Sequence, residues 1–323
     1  MAVVELQSLT KAYGTRPPAL RDVTLSIGPG VTGLLGPNGA GKSTMIQCIL
    51  GLLPDFEGTA TVLGLDARRD RRAVRRRVGF MPESDSYLYE MTGIRAVRYL
   101  GELVGMPHDE ALRRAHEMLY HVGLGEAVYR DVREYSTGMR QRFKLAQALV
   151  HDPELIFLDE PLAGLDPQAR DELLALITDL ARQHGKHIIW SSHILPDVQK
   201  VADSIVVLHE GRFRGTFRLE DLHPETGRYG VDAEGELEGF EDRLRAAGIT
   251  VLSADAVEGP ETGGGTLVEA RQHWTLAIPG DDGPRRLFAL AREHGVRLRR
   301  LGAVSETLED VFLRILHERE PGA

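Results

Sequence analysis

A short apolar run that ends in a glycine-rich loop with a lysine constrains this chain more than any other feature. VTGLLG, Val31 to Gly36, leads directly into GPNGAGKST, Gly36 to Thr44. The loop fits G-x-x-x-x-G-K-[ST], a pattern whose context is a strand before it and a helix after it. Polyphosphate has to be wrapped by backbone N–H groups, and side chains on the wall would block that approach. Gly36, Gly39 and Gly41 remove side chains where the chain turns or comes close, with Asn38 and Ala40 between them. A helix that starts near Gly41 aims the positive end of its dipole at a bound phosphate. Lys42 then supplies a point charge for phosphate oxygens, Ser43 offers a hydroxyl to Mg2+, and Thr44 follows in the same turn.

Other stretches repeat the strand-and-helix alternation. LIFLD (Leu155–Asp159), HIIWSSH (His187–His193) and SIVVLHEG (Ser204–Gly211) are short apolar runs of the kind buried on both faces of a parallel or mixed sheet. Helical patterns separate them at Lys42–Leu50, Gly138–Val150 and Gln168–His184. The fold class is therefore α/β, a mixed sheet with helices. The segment at about 56–135 is rich in arginine and helix formers. It is expected to contribute an inserted helical subdomain, placed at about 84–150. Cys48, among Ile46, Ile49 and Leu50, is expected to be a buried small hydrophobe.

The net charge is −9, and its distribution marks a boundary. From Glu220 onward there are 21 acidic and 12 basic residues, whereas residues 1–219 hold 27 of each sign. A core domain over 1–217 and a C-terminal α+β domain over 218–323 follow. The latter reads as strand Arg228–Asp232, helix Gly239–Ala247, strand Ile249–Ser253, a strand over Thr266–Ala270 continuing near Thr275–Ile278, helix Pro284–His294, strand Val296–Leu301 and helix Ser305–His317. That order resembles a split βαβ unit. GPETGGGT, Gly259 to Thr266, reads as a hairpin loop.

LIFLDEP, Leu155 to Pro161, puts two acids directly after a buried run. The end of a strand is where an α/β sheet presents ligands. Asp159 is placed to hold Mg2+, and Glu160 to polarise an attacking water.

With these motifs in place the chain resembles an ABC-type ATPase, over about residues 3–217. YSTGMRQR, Tyr135 to Arg142, resembles the signature LSGGQ-x-x-R and opens a helix. AGLD, Ala163 to Asp166, resembles the loop that crosses the dimer interface, with Gly164 and Asp166 as its residues there. His193 in WSSH matches the switch histidine, and Tyr13 in KAYG matches the aromatic that stacks on adenine. The resemblance implies ATP bound by Tyr13 and the loop Gly36–Thr44. It also implies Mg2+ held through Ser43, Glu83 and Asp159, and hydrolysis served by Glu160 and His193. Ser136, Thr137, Gly138 and Met139 would cap the ATP of a neighbouring subunit in a head-to-tail homodimer.

Two positions depart from the family pattern. Glu83, in GFMPES, stands where glutamine is usual, and Thr137 and Met139 stand where glycine and glutamine are common. Both departures are similar to variants in the ATPase subunits of bacterial ABC-2-type exporters. The ending LEDVFLRIL, Leu308 to Leu316, also resembles the tails of those subunits, though by itself it is an amphipathic helix. The segment after Glu83, with Tyr87, Leu88 and Tyr89, is either a coupling surface or packing within the helical subdomain. The seven arginines within 68–77 read first as a solvated helix face and second as a membrane-proximal one.

Composition bounds the partners. The apolar fraction of 42% supports a real core and excludes a disordered chain. One cysteine excludes an internal disulfide and a four-cysteine zinc site, which fits a reducing compartment. No apolar run approaches the roughly 20 residues of a membrane span, and the N-terminus does not read as a signal peptide. The expected reading is a cytoplasmic ATPase on the inner face of the cell membrane, bound to a separate transmembrane permease. No nucleic-acid partner is expected at this net charge. The alternatives are a soluble mechanochemical ATPase acting on DNA or ribosomes, and a regulatory module that does not turn over. The first lacks a second phosphate loop and a coiled-coil insertion. The second is opposed by the presence of Lys42, Asp159, Glu160 and His193 together.

Overall fold

The computed structural model describes residues 2–84, 87–192, 194–221, 228–235, 237–256, 271–279, 282–303 and 312. The chain divides into two compact units, at Leu219 and Glu220. The first contains β1 (Val4–Lys11), β2 (Leu20–Ile27), β3 (Val31–Leu35), α1 (Lys42–Ile49), β4 (Glu57–Val62), β5 (Leu65–Asp66), α2 (Arg71–Arg77) and β6 (Val78–Met81). It continues with α3 (Gly93–Leu103), α4 (His108–His121), α5 (Thr137–Leu149), β7 (Leu155–Asp159), α6 (Pro167–Arg182), β8 (His187–Ser191), α7 (Leu195–Val201), β9 (Ser204–His209) and β10 (Arg212–Arg218).

The buried apolar runs become neighbours in one six-stranded sheet, in the order β10-β9-β3-β8-β7-β6. All its pairings are parallel except β10 with β9, so the sheet is mixed. Every residue of β3 and β7 is buried, which is why each reads as a continuous hydrophobic stretch. Because β3, β8, β7 and β6 run the same way, their C-terminal ends lie along one edge. That edge carries the loops after Leu35, Ser191, Asp159 and Met81. A second sheet, antiparallel, has the order β2-β1-β4-β5. A core of Leu6, Leu20, Met45, Ile46, Phe157 and Ile189, among others, joins the two sheets around α1.

The first part of the segment at 56–135 is not helical throughout, though its arginine run does form a solvated helix face in α2, with Arg71, Arg72, Arg75 and Arg76 exposed. Residues 57–81 form β4, β5, the short α2 and β6, and the longer helices α3, α4 and α5 lie within 93–149. Two of the seven arginines are held by residues outside the run. Arg68 lies 4.5 Å from the Phe56 ring centroid and donates to the Phe56 carbonyl at 3.1 Å. Arg77 pairs with both oxygens of Glu154, at 2.6 and 2.7 Å. No described helix is long and apolar enough to cross a membrane.

The second unit contains β11 (Arg228–Glu234), α8 (Phe240–Ala246), β12 (Thr250–Ala256), β13 (Arg271–Ala277), α9 (Gly283–Glu293) and β14 (Arg297–Ala303). Its antiparallel sheet has the order β12-β13-β11-β14, the split βαβ arrangement. Phe240, Leu244, Trp274, Leu276 and Leu287 fill its core. The strand expected at Thr266–Ala270 and the hairpin loop before it lie outside the described residues. So does the final helix, Phe312 excepted.

Candidate functional site

The strand edge of the first unit builds a cavity of about 400 Å3 lined by Asn38, Gly39, Ala40, Gly41, Lys42, Ser43 and Thr44 with Glu83, Asp159 and Glu160. Two glycines make the loop possible. A Cβ on Gly36 would lie 2.3 Å from the Leu208 carbonyl oxygen. Gly41 has φ 100° and caps α1, and a Cβ there would lie 2.6 Å from the Ala19 carbonyl oxygen. The N-terminus of α1 therefore opens into the cavity with its first N–H groups available to an anion.

Lys42 follows at once. It is 8% exposed, and its ammonium donates to the carbonyls of Gly36 at 2.6 Å and Pro37 at 3.3 Å. Burial lowers its pKa, and the nearby Glu160, Asp159 and Glu83 act against that shift. An ammonium held at the mouth of this helix N-terminus favours a polyanion in the cavity.

Asp159 is the last residue of β7 and is buried. Ser43 donates its hydroxyl to Asp159 Oδ2 at 3.1 Å, and Ser191 donates a hydrogen bond to Oδ1. Glu160 is also buried and has φ 48°, the left-handed region. Its backbone N–H is held by the Ser191 carbonyl at 3.1 Å and the Ser191 hydroxyl at 3.2 Å. Glu83 is exposed on the same cavity. The carbonyls of Pro82 and Glu83 accept from the buried Lys144 ammonium at 2.9 and 3.0 Å. Tyr13 is 41% exposed, its hydroxyl 3.5 Å from Thr44 Oγ1 and its ring centroid 5.2 Å from the Lys11 ammonium.

A second cavity, of about 450 Å3, is lined by Ser136, Thr137, Gly138 and Met139 together with Gly164 and Asp166. Ser136 is the N-cap of α5, and its hydroxyl accepts from the Met139 N–H at 3.3 Å. Asp166 caps α6, accepting from Ala169 N–H at 2.9 Å. Two helix N-termini thus face this cavity. Gly138 has room: a Cβ there would be 3.6 Å from Ala169 Cβ. None of these residues lines the first cavity.

His193 lies outside the described residues, as do Asp85 and Ser86 of the segment after Glu83. Within that segment the Tyr87 ring packs 6.2 Å from Phe143 of α5 and 5.4 Å from Tyr89, so Tyr87 takes part in subdomain packing. Cys48 is buried and free, its thiol pushed up to about 11 by burial. Sequence reasoning passed over Ser191 and Lys144. Ser191 does sit within the WSSH run, at a strand end, which is a usable signal.

A model of the ABC transporter family matches residues 20–163. The ABC transporter ATP-binding protein YxlF of Bacillus subtilis is 30% identical over 98% of this chain and 100% of its own length. The daunorubicin resistance ATP-binding protein DrrA2 of Streptomyces coeruleorubidus is 32% identical over 98% of this chain and 95% of its own length. Among solved structures, the dimeric post-hydrolysis state of the ATP-binding cassette MJ0796, bound to ADP and Pi, superposes with TM-score 0.61 at 26% identity. It covers 67% of this chain and 98% of its own.

Proposed function

Because this chain belongs to the ABC transporter family of ATP-binding proteins, it is an ATP-hydrolysing subunit, and we propose that it serves an exporter by energising a separate permease, its residues dividing that work as follows. Residues 1–217 are the nucleotide-binding domain, with the helical subdomain at about 84–150, and residues 218–323 are an accessory domain. The observation that carries the assignment is the convergence of Lys42, Ser43, Asp159 and Glu160 on one cavity at the C-terminal ends of parallel strands.

In that cavity Gly36 and the run Asn38–Thr44 wrap the phosphates, and Lys42 neutralises the β and γ oxygens. The exposed Tyr13 ring stacks on adenine. The Ser43 hydroxyl, the Asp159 carboxylate and the Glu83 carboxylate are hard oxygen donors on one wall, a set that fits Mg2+. When bound, the ion draws off charge that develops on the β and γ oxygens. Glu160 orients the attacking water and accepts its proton, from a position held by Ser191. His193 contacts the γ-phosphate.

The second cavity completes the site of another copy. Ser136, Thr137, Gly138 and Met139, with Gly164 and Asp166, present helix N-termini to the γ-phosphate of ATP held by the facing subunit. Two copies then sandwich two ATP molecules head to tail. Closure on ATP and reopening after hydrolysis drive the permease, which places the protein on the cytoplasmic face of the cell membrane. The test is affinity purification of the full chain from detergent-solubilised membranes. A multi-span partner is expected, and recovery of ribosomes or DNA in its place would sink the exporter assignment.

A further inference from the structure

The C-terminal ends of α4 and α6 bring together three metal-ligating side chains that the ATPase chemistry does not use. His121 is the last residue of α4, and Asp179 lies in the last turn of α6. Past that helix the chain curls back: the N–H groups of Gln183 and His184 both donate to the Asp179 carbonyl, at 2.8 and 3.4 Å. That turn sets the His184 ring beside the Asp179 carboxylate.

The geometry is close to that of a coordination sphere. Asp179 Oδ2 lies 3.4 Å from His184 Nε2 and 3.8 Å from His121 Nε2. One ligand atom from each residue lies within 4.8 Å of the other two. The imidazoles meet edge to face, with centroids 5.5 Å apart. Tetrahedral zinc with nitrogen and oxygen ligands at about 2.0–2.1 Å sets those ligands about 3.3 Å apart. The pairs to Asp179 are within about half an ångström of that spacing.

The surroundings point the same way. His121 Nε2 is buried and has no hydrogen-bond partner among the described residues, an unmet need in a folded interior. Its neutral imidazole can meet that need by donating its lone pair to a cation. The His184 side chain is 53% exposed and leaves an entry path. Two imidazoles and one carboxylate suit a borderline first-row cation and not Mg2+ or Ca2+, which prefer oxygen alone. A water would take the fourth position.

We propose that His121, Asp179 and His184 bind a divalent cation of the zinc class, which fastens the end of α4 to α6. α4 belongs to the helical stretch within 93–149, and α6 directly follows the loop that carries Gly164 and Asp166. The cation therefore ties two elements that meet here through the His121–Asp179 contact and the His121–His184 ring pair.

The experiment is titration of the full, tag-free, metal-stripped chain with Co2+, followed by its visible ligand-field absorption and by displacement with Zn2+. One Co2+ per chain is expected, with the band lost in His121→Ala and in His184→Gln. Zn2+ affinity should fall by about tenfold or more in each, since even residues behind the ligands are worth that much. Zn2+ should raise the Tm of the wild type and leave that of His184→Gln unmoved. The band should persist in Asp159→Asn, which separates this site from the nucleotide cavity. Should His121→Ala fail to fold, the exposed His184 still decides the matter. Absence of stoichiometric binding, or a band that survives His184→Gln, would overturn the proposal and leave Asp179 as the partner of two histidines in an ordinary ion pair.

Discussion

Ser191 and Asp159 are register partners at the ends of β8 and β7, and the serine hydroxyl donates to the aspartate carboxylate. The same serine also receives the Glu160 N–H, at its carbonyl and at its hydroxyl. One residue thus holds both acids, through its hydroxyl and its carbonyl. Ser191→Ala should remove a buried charge-assisted hydrogen bond, at a stability cost of about 1–3 kcal/mol. It should also loosen Glu160 and slow ATP turnover several-fold while ATP still binds. Thermal unfolding and steady-state phosphate release read the two effects. A variant unchanged in both would show that the serine is not the anchor.

Glu160 takes a left-handed backbone conformation that a residue with a side chain adopts only at a cost. The bend turns the chain at the strand end, with the acid on the wall of the nucleotide cavity. Glu160→Gln keeps the size and loses the ability to accept a proton. Turnover should fall about 100-fold or more. ATP binding should persist, and the dimer should accumulate in its closed form, visible by size exclusion with ATP present. Near wild-type turnover refutes the role of Glu160 as base.

The sheet that positions these acids was readable because β3, β7, β8 and β9 are buried on both faces and appear as plain apolar runs. The phosphate loop and the acidic pair were readable for a related reason, since each is a local pattern at the end of such a run. The antiparallel sheet was not. β1 pairs with β4 across some fifty residues of chain, and its register shifts between Gln7 and Thr10 blur the alternation of buried and exposed positions. Within residues 57–81 the arginine run does form a solvated helix face, α2, with Arg71, Arg72, Arg75 and Arg76 exposed. The strands β4, β5 and β6 beside it were hidden by that charge, which overrides the alternation of a strand pattern. The ends of the run are spent on residues outside it, Arg68 on Phe56 and Arg77 on Glu154. Lys144 acts through partners far away in sequence, and no local pattern marks its role; Ser191 too reaches a distant residue, Asp159, and only its place at a strand end points to it.

Lys42 offers a prediction with a pH sign. Its ammonium is poised by two carbonyl contacts, and burial lowers its pKa in the free protein. Bound phosphate favours the charged form, so the pKa in the complex lies above that in the free protein. Between those two values binding takes up a proton, and affinity falls as pH rises. Calorimetry in buffers of differing ionisation enthalpy, run over a series of rising pH, should detect that uptake. Lys42→Ala should abolish the uptake. It should also lower nucleotide affinity about 10- to 100-fold, since hydrogen bonds to a charged group contribute about 1.5–3 kcal/mol. Unchanged affinity in the variant would contradict the assignment.

Glu83 stands on backbone that Lys144 holds from α5, through the carbonyls of Pro82 and Glu83. Its exposed carboxylate shares the cavity wall with Ser43 and Asp159. A carboxylate there adds a negative charge beside the Mg2+ donors, where the resemblance leads one to expect a neutral amide. Glu83→Gln removes that charge and keeps an oxygen of similar reach. The variant should hydrolyse ATP at a rate close to wild type. The Mg2+ concentration for half-maximal activity should rise, because a carboxylate attracts a divalent ion more strongly than an amide oxygen does. Titrating Mg2+ at fixed ATP measures the shift. An unmoved midpoint would place the carboxylate outside the ion's reach, and a folded but inactive variant would give it a role in the chemistry itself.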